Sequence, residues 1–113
     1  MEAVLGVLQK YWGYSQFREG QLPVIENILS GEDALAIMPT GGGKSICFQV
    51  PAMAMEGICI VVSPLVALIK DQVSGLKKKG IKATAITGGM PFHELDSELD
   101  NCIYGNYKFL YLS

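Results

Sequence analysis

Histidine, tryptophan and arginine each occur once in this 113-residue chain, as His93, Trp12 and Arg18. A single histidine gives no histidine-built metal centre, and His93 reads as a surface or helix-start residue. Charge is also scarce. Asp, Glu, Lys and Arg together make up 18% of the chain, against about a quarter in an average globular domain. The formal net charge of −2 and pI near 5.3 give no bulk footprint for nucleic acid. Cysteine is limited to Cys47, Cys59 and Cys102, with no C-x-x-C pair. This odd, scattered set on apolar segments fits reduced core thiols in a cytoplasmic protein better than a disulfide framework or a zinc site. No basic region precedes an apolar run at the N-terminus, so no signal peptide is read. No stretch reaches the roughly 18 apolar residues of a membrane span.

Hydrophobic residues are abundant, at 50% of the chain, with a mean hydropathy of +0.29. For so short a chain this is more than one small core uses, and it implies surfaces meant to be covered by further chain.

The run Met38-Pro39-Thr40-Gly41-Gly42-Gly43-Lys44-Ser45 carries the most chemistry. An apolar stretch precedes it, Ala34 to Ile37, which reads as a strand. Ile46-Cys47-Phe48-Gln49-Val50 follows and reads as the start of a buried helix. A strand, a glycine-rich turn and a helix N-terminus in that order make an anion site: the glycines let successive N–H groups point inward, and the helix dipole adds to the pull. Lys44 would reach the β- and γ-phosphates, and Ser45 would place its hydroxyl on Mg²⁺. The pattern is that of a nucleoside-triphosphate site. Its usual first glycine is replaced by Met38, a departure seen in several P-loop branches, helicases of superfamily two among them.

Along the chain, apolar periodicity predicts a helix over residues 2–11 and another carrying Leu22, Ile25, Ile28 and Leu29, stopped by Ser30-Gly31. The helix after the P-loop extends to about Ala54 and carries Pro51, expected to end or kink it. Ile58 to Val62 reads as a strand buried on both faces. Ser63-Pro64 reads as a cap and first turn for a helix through roughly Lys79. Ala83 to Ile86 is a strand, Phe92 to about Tyr104 a helix, and Tyr107 to Leu112 a fourth strand. Lys77-Lys78-Lys79 reads as a solvated helix end that complements the dipole. Alternating strands and helices predict an α/β fold with a parallel sheet covered on both faces. The last segment stops inside what reads as a core strand, so the expectation is a truncated domain, the N-terminal piece of something longer.

Two further constellations flank the loop. Trp12-Gly13-Tyr14-Ser15-Gln16-Phe17-Arg18-Glu19-Gly20-Gln21 holds an aromatic ring, a guanidinium and a carboxamide within one loop and helix start. Gln21 can hydrogen-bond an adenine edge, and Tyr14 and Arg18 can sandwich a base. The same residues also suit an aromatic packing cluster that caps the second helix. Downstream, Val62-Ser63-Pro64-Leu65 lies at a strand's C-terminal end before a helix, where open α/β sheets bind ligands and free N–H groups can hold a nucleic-acid phosphate. An ordinary strand–helix turn has the same look.

Taken together the three segments resemble the RecQ family of DNA helicases. The stretch around Tyr14, Phe17, Arg18, Gly20 and Gln21 is similar to that family's adenine-recognition motif. Met38 to Ala52 is similar to its motif I, and Ser63-Pro64-Leu65 through Leu68, Asp71, Gln72 and Val73 to its motif Ia. The likeness covers nearly the whole chain, most weakly between Lys79 and Asn106. It implies a RecA-like P-loop fold and ATP-dependent unwinding of DNA in the 3′ to 5′ direction, in repair and recombination. Tyr14 and Arg18 would then flank adenine and Gln21 would read its edge. Thr40, Gly41, Gly42, Gly43 and Lys44 would cradle the phosphates, and Ser45 would help hold Mg²⁺. Ser63, Pro64 and Leu65 would touch single-stranded or forked DNA. The implied location is the cytoplasm with its nucleoid, or the nucleus of a eukaryote. Thr87-Gly88-Gly89 departs from the family's usual polar stretch and is given no role.

Hydrolysis needs an acidic pair at a strand end, one carboxylate for Mg²⁺ and one to activate water. The predicted strands end in Met38-Pro39, Ser63-Pro64, Thr87-Gly88 and Leu112-Ser113, none of them acidic. The expectation is therefore a segment that by itself binds ATP weakly at best and neither hydrolyses it nor unwinds DNA. A stand-alone nucleotide-binding module without catalysis fits the same absence. A P-loop phosphotransferase fits less well, because it needs a lid with arginines and Arg18 is the one arginine present.

Overall fold

A computed structural model describes residues 2–38 and 43–113. The chain divides into two compact units, residues 1–56 and residues 57–113.

In the first unit, α1 (Glu2–Val7) runs into a π-helical segment (Leu8–Trp12) that ends on Gly13 in the left-handed region. Helix α2 (Gln21–Leu29) and helix α3 (Ile46–Ala54) complete the unit. Val4, Leu8, Ile25 and Val50 form its core, with Val7, Trp12, Phe17 and Ile46 packed against them. α2 stops where the sequence says: Ser30 N–H donates to the Glu26 carbonyl, and Gly31 takes a positive φ of 82°. α3 continues past Pro51 to Ala54, so that proline neither ends it nor prevents the last turn.

The segment expected as a strand, Ala34 to Ile37, is irregular here. Leu35 and Ile37 are 90% and 91% exposed. A strand needs a neighbour to complete its ladder, and among the described residues the first unit holds no other strand.

The second unit is a three-stranded parallel sheet. Strands β1 (Cys59–Val62), β2 (Ala83–Ile86) and β3 (Phe109–Leu112) lie in the order β1-β3-β2. Leu110 pairs with Ile60 on one side and Thr84 on the other. The central strand is the core: Phe109, Leu110 and Tyr111 are all buried. Helix α4 (Val66–Lys78) packs on β2 and β3 through Ile69, Val73 and Leu76. Helix α5 (Phe92–Tyr104) matches the expected span and contacts β2, yet buries none of its residues fully.

Two expectations change here. β1 is not buried on both faces: Ile60 and Val62 are 58% and 74% exposed. An apolar β-branched run reports strand propensity, whereas β1 forms an outer edge of the described sheet. The last strand begins at Phe109, two residues later than expected.

Candidate nucleotide-binding site

The site is built where α2 and α3 begin. Gln21, the first residue of α2, is only 1% exposed despite its polar side chain. Burial of a carboxamide requires partners, and the structure supplies them. Its Oε1 accepts the Arg18 N–H at 2.8 Å, and its Nε2 donates to the Gly43 carbonyl at 3.1 Å. Gln21 thus ties the loop that precedes α2 to the end of the glycine run.

Gly43 has φ of 75°, and a Cβ placed there would lie 2.3 Å from Gln21 Nε2. The backbone conformation favours glycine, and any Cβ would have to displace the Gln21 amide. Lys44 follows in a turn, exposed, and Ser45 is the N-cap of α3. The Ser45 carbonyl accepts the Gln49 N–H at 2.8 Å, while its side chain makes no capping bond to the helix. An exposed ammonium and a hydroxyl that does not cap the helix therefore stand at the start of a nine-residue helix, the groups a triphosphate with Mg²⁺ calls for. Thr40, Gly41 and Gly42 lie outside the described residues.

Cys47 sits directly beneath, with Sγ 3.7 Å from Met38 Sδ and 3.9 Å from the Gly43 carbonyl. Burial pushes its thiol above the ordinary value of 9.0, with a backbone hydrogen bond pulling weakly the other way. The sequence places Cys47 in the helix that opens from the loop, within the stretch similar to motif I, but gives it no role there. Tyr14 is 52% exposed and Arg18 is exposed. The structure thus brings Arg18, Gln21 and Gly43 together through backbone and carboxamide, with Tyr14 outside that network.

In the second unit, Ser63 Oγ accepts the Leu65 N–H at 3.2 Å and Ser63 N–H donates to the Leu112 carbonyl at 2.9 Å. The helix itself starts at Val66 with Leu65 as N-cap, so Ser63-Pro64 forms a side-chain-closed turn ahead of α4 and not its cap. Pro64 and Leu65 are exposed. Strand ends carry no carboxylate pair: they read Val62-Ser63, Ile86-Thr87 and Leu112-Ser113. Among the described residues no group of His, Cys, Asp and Glu is placed to hold a metal ion. No described helix is long and apolar enough to cross a membrane.

The sequence profile of the DEAD/DEAH box helicase family matches residues 18–111. The chain is 42% identical over 109 residues to the ATP-dependent DNA helicase RecQ of Haemophilus influenzae, spanning 96% of this chain and 18% of that protein. It is 43% identical over 106 residues to the probable ATP-dependent DNA helicase RecS of Bacillus subtilis, spanning 94% of this chain and 21% of that protein. With the ATP-dependent helicase wrn-1 of Caenorhabditis elegans it shares 38% identity over 112 residues, or 99% of this chain and 10% of the other. The chain therefore spans about a fifth of the length of the bacterial relatives, and less of the nematode one.

Proposed function

Because the chain belongs to the DEAD/DEAH box helicase family, we propose that it is the N-terminal part of the first RecA-like motor domain of a RecQ-type, ATP-dependent DNA helicase. The observation that carries this reading is the Gln21 carboxamide, which links the loop holding Tyr14 and Arg18 to Gly43, next to Lys44 and Ser45. Base recognition and phosphate grip then belong to one hydrogen-bonded unit, as an ATP-specific motor requires.

In this reading Tyr14 and Arg18 flank adenine, and Gln21 reads the base edge. Thr40, Gly41, Gly42 and Gly43 line the phosphates. Lys44 acts as a point charge on the β- and γ-phosphates, stabilising charge that builds during transfer. Ser45 holds Mg²⁺, which when bound neutralises the phosphate oxygens. Ser63, Pro64 and Leu65 touch the DNA backbone, with the Ser63 hydroxyl donating to a phosphate, giving contact without sequence preference. The DNA is single-stranded or forked, unwound 3′ to 5′ in repair and recombination, in the cytoplasm or nucleus where that DNA lies. The carboxylates that bind Mg²⁺ and activate water come from chain beyond these 113 residues, so this segment grips nucleotide and the complete motor hydrolyses it.

The deciding test is ATP turnover by these 113 residues and by the complete gene product, each with and without single-stranded DNA, with Lys44→Ala as blank. DNA-stimulated turnover by the complete product alone is expected. Turnover by the short segment above its blank would overturn this division of labour, and absence of turnover from both would overturn the helicase reading.

A further inference from the structure

The contact between α4 and the sheet is built mainly from apolar groups: Ile69, Val73 and Leu76 on the helix, Ala83 and Phe109 on the strands. Apolar burial is non-directional. It holds a helix against a sheet without specifying which fraction of a turn faces down. Within this contact lies a polar pair with a definite geometry. Tyr111, 1% exposed on the central strand, donates its hydroxyl to Gln72 Oε1 of α4 at 2.7 Å. A hydrogen bond of this length weakens steeply with misalignment, and more so away from water. It therefore selects one rotation and one register of α4 on β3.

What α4 carries at its start gives that selection a consequence. The first helical hydrogen bond runs from Ile69 N–H to the Leu65 carbonyl, at 3.0 Å. The turn Ser63-Pro64-Leu65 is thus continuous with the helix. At its other end, Ser63 N–H donates to the carbonyl of Leu112, the neighbour of Tyr111 in β3. Two consecutive residues of the central strand therefore fix the turn from both sides. Leu112 holds its beginning through the backbone, and Tyr111 holds the helix that follows through Gln72.

We propose that Tyr111 and Gln72 are positioning residues for nucleic-acid contact, their hydrogen bond setting where the Ser63-Pro64-Leu65 turn presents the Ser63 hydroxyl to the DNA backbone. This rests on the reading of that turn as a DNA contact. Neither residue touches DNA itself. The pair also gives the central strand a direct mechanical link to the turn, so a shift of β3 is transmitted to α4 as a rotation and not absorbed by apolar slippage.

The experiment uses the complete gene product and fluorescence anisotropy with oligothymidylate. Tyr111→Phe and Gln72→Met are each expected to weaken DNA binding about three- to tenfold. The double variant is expected to be no weaker than either single one, because both act through one bond. Affinity for a non-hydrolysable ATP analogue stays unchanged, whereas general loosening of the domain would lower both affinities. Gln72→Met, at a half-buried helix position, keeps the test open if Tyr111→Phe fails to fold. Unchanged DNA affinity in either folded variant, with Ser63→Ala weakening it, would overturn the positioning role while leaving the turn's role intact. Unchanged affinity in Ser63→Ala and Leu65→Pro would instead remove the turn as a DNA contact, and the positioning role with it.

Discussion

The side-chain amide of Gln21 donates to the carbonyl of Gly43 at 3.1 Å, across 22 positions of sequence. The same carboxamide accepts the Arg18 N–H at 2.8 Å. One half-turn of helix start is thereby joined to the last glycine before Lys44. The two segments read as adenine loop and phosphate loop are physically one object at this point. A Cβ at position 43 would also push against the Gln21 amide, a constraint additional to its positive φ.

Replacing Gly43 with alanine should therefore damage the site twice. A non-glycine residue in the left-handed region costs about 1–3 kcal/mol, and its Cβ displaces the Gln21 amide. Thermal denaturation should show the loss of stability, and ATP-analogue affinity should fall with it. An unchanged affinity would mean that the loop does not depend on this packing.

Gln21→Ala removes the hydrogen bonds to the Gly43 carbonyl and the Arg18 N–H. The expected destabilisation is about 1–3 kcal/mol. Competition between ATP and GTP in the complete gene product should lose its preference for ATP. A preference that survives in a folded variant would make Gln21 a structural staple and nothing more.

Lys44→Ala should behave differently. The side chain is exposed, so stability should change by no more than about 0.5 kcal/mol. Phosphate-dependent binding should be abolished, read as equal affinity for adenosine and ATP analogue in calorimetry. Stronger binding of the triphosphate in this variant would remove the phosphate-loop assignment.

Helix α5 is held by few fixed points. One is the hydrogen bond from Thr84 Oγ1, buried on β2, to Glu98 Oε2. Another is Lys82 Nζ donating to the Gly105 carbonyl at the helix end, at 3.0 Å. Because no residue of α5 is fully buried, its amides should exchange with deuterium faster than those of α4. Thr84→Val should speed that exchange several-fold without altering α4. Equal protection of the two helices would show that α5 is anchored by more than these bonds.

The thiols give a pH prediction. Burial raises all three above 9.0; the Lys108 charge partly offsets this at Cys59, and Glu98 adds to it at Cys102. A raised folded value means the neutral thiol is favoured in the native state. Its contribution to stability is complete below 9.0 and is lost as pH rises through the folded value. Denaturant midpoints should therefore fall as pH rises above 9 by more than in a variant with Cys47→Ala and Cys59→Ala. Rapid alkylation of native Cys47 at neutral pH would contradict its placement beneath the loop.

Much of the local structure was legible from residues alone. Pro91 before and Gly105 after bound α5, and the helix spans Phe92–Tyr104 as read. Ala83–Ile86 is the strand its β-branched and small residues indicate. Ser30-Gly31 stops α2 through a hydrogen bond and a positive φ that those residue types favour. Capping and turn chemistry act within a few residues, so sequence carries them directly. Ala34 to Ile37 shows the limit: its composition resembles that of a strand, but no composition provides a partner. β1 was likewise legible as a strand and illegible as an edge.

The amino-acid sequence by itself determined the chemistry this chain can offer: a glycine-rich run with Lys44 and Ser45, an aromatic and carboxamide cluster before it, and no carboxylate pair at a predicted strand end. It also determined most helix boundaries. Only the tertiary structure decided that Gln21 is buried against Gly43, that β3 lies between β1 and β2, and that Tyr111 reaches Gln72. These relationships join residues far apart in the chain, and they exist only after the cost of closing the intervening loops has been met by packing. Local propensity is written residue by residue, whereas which buried groups meet is settled by the whole fold.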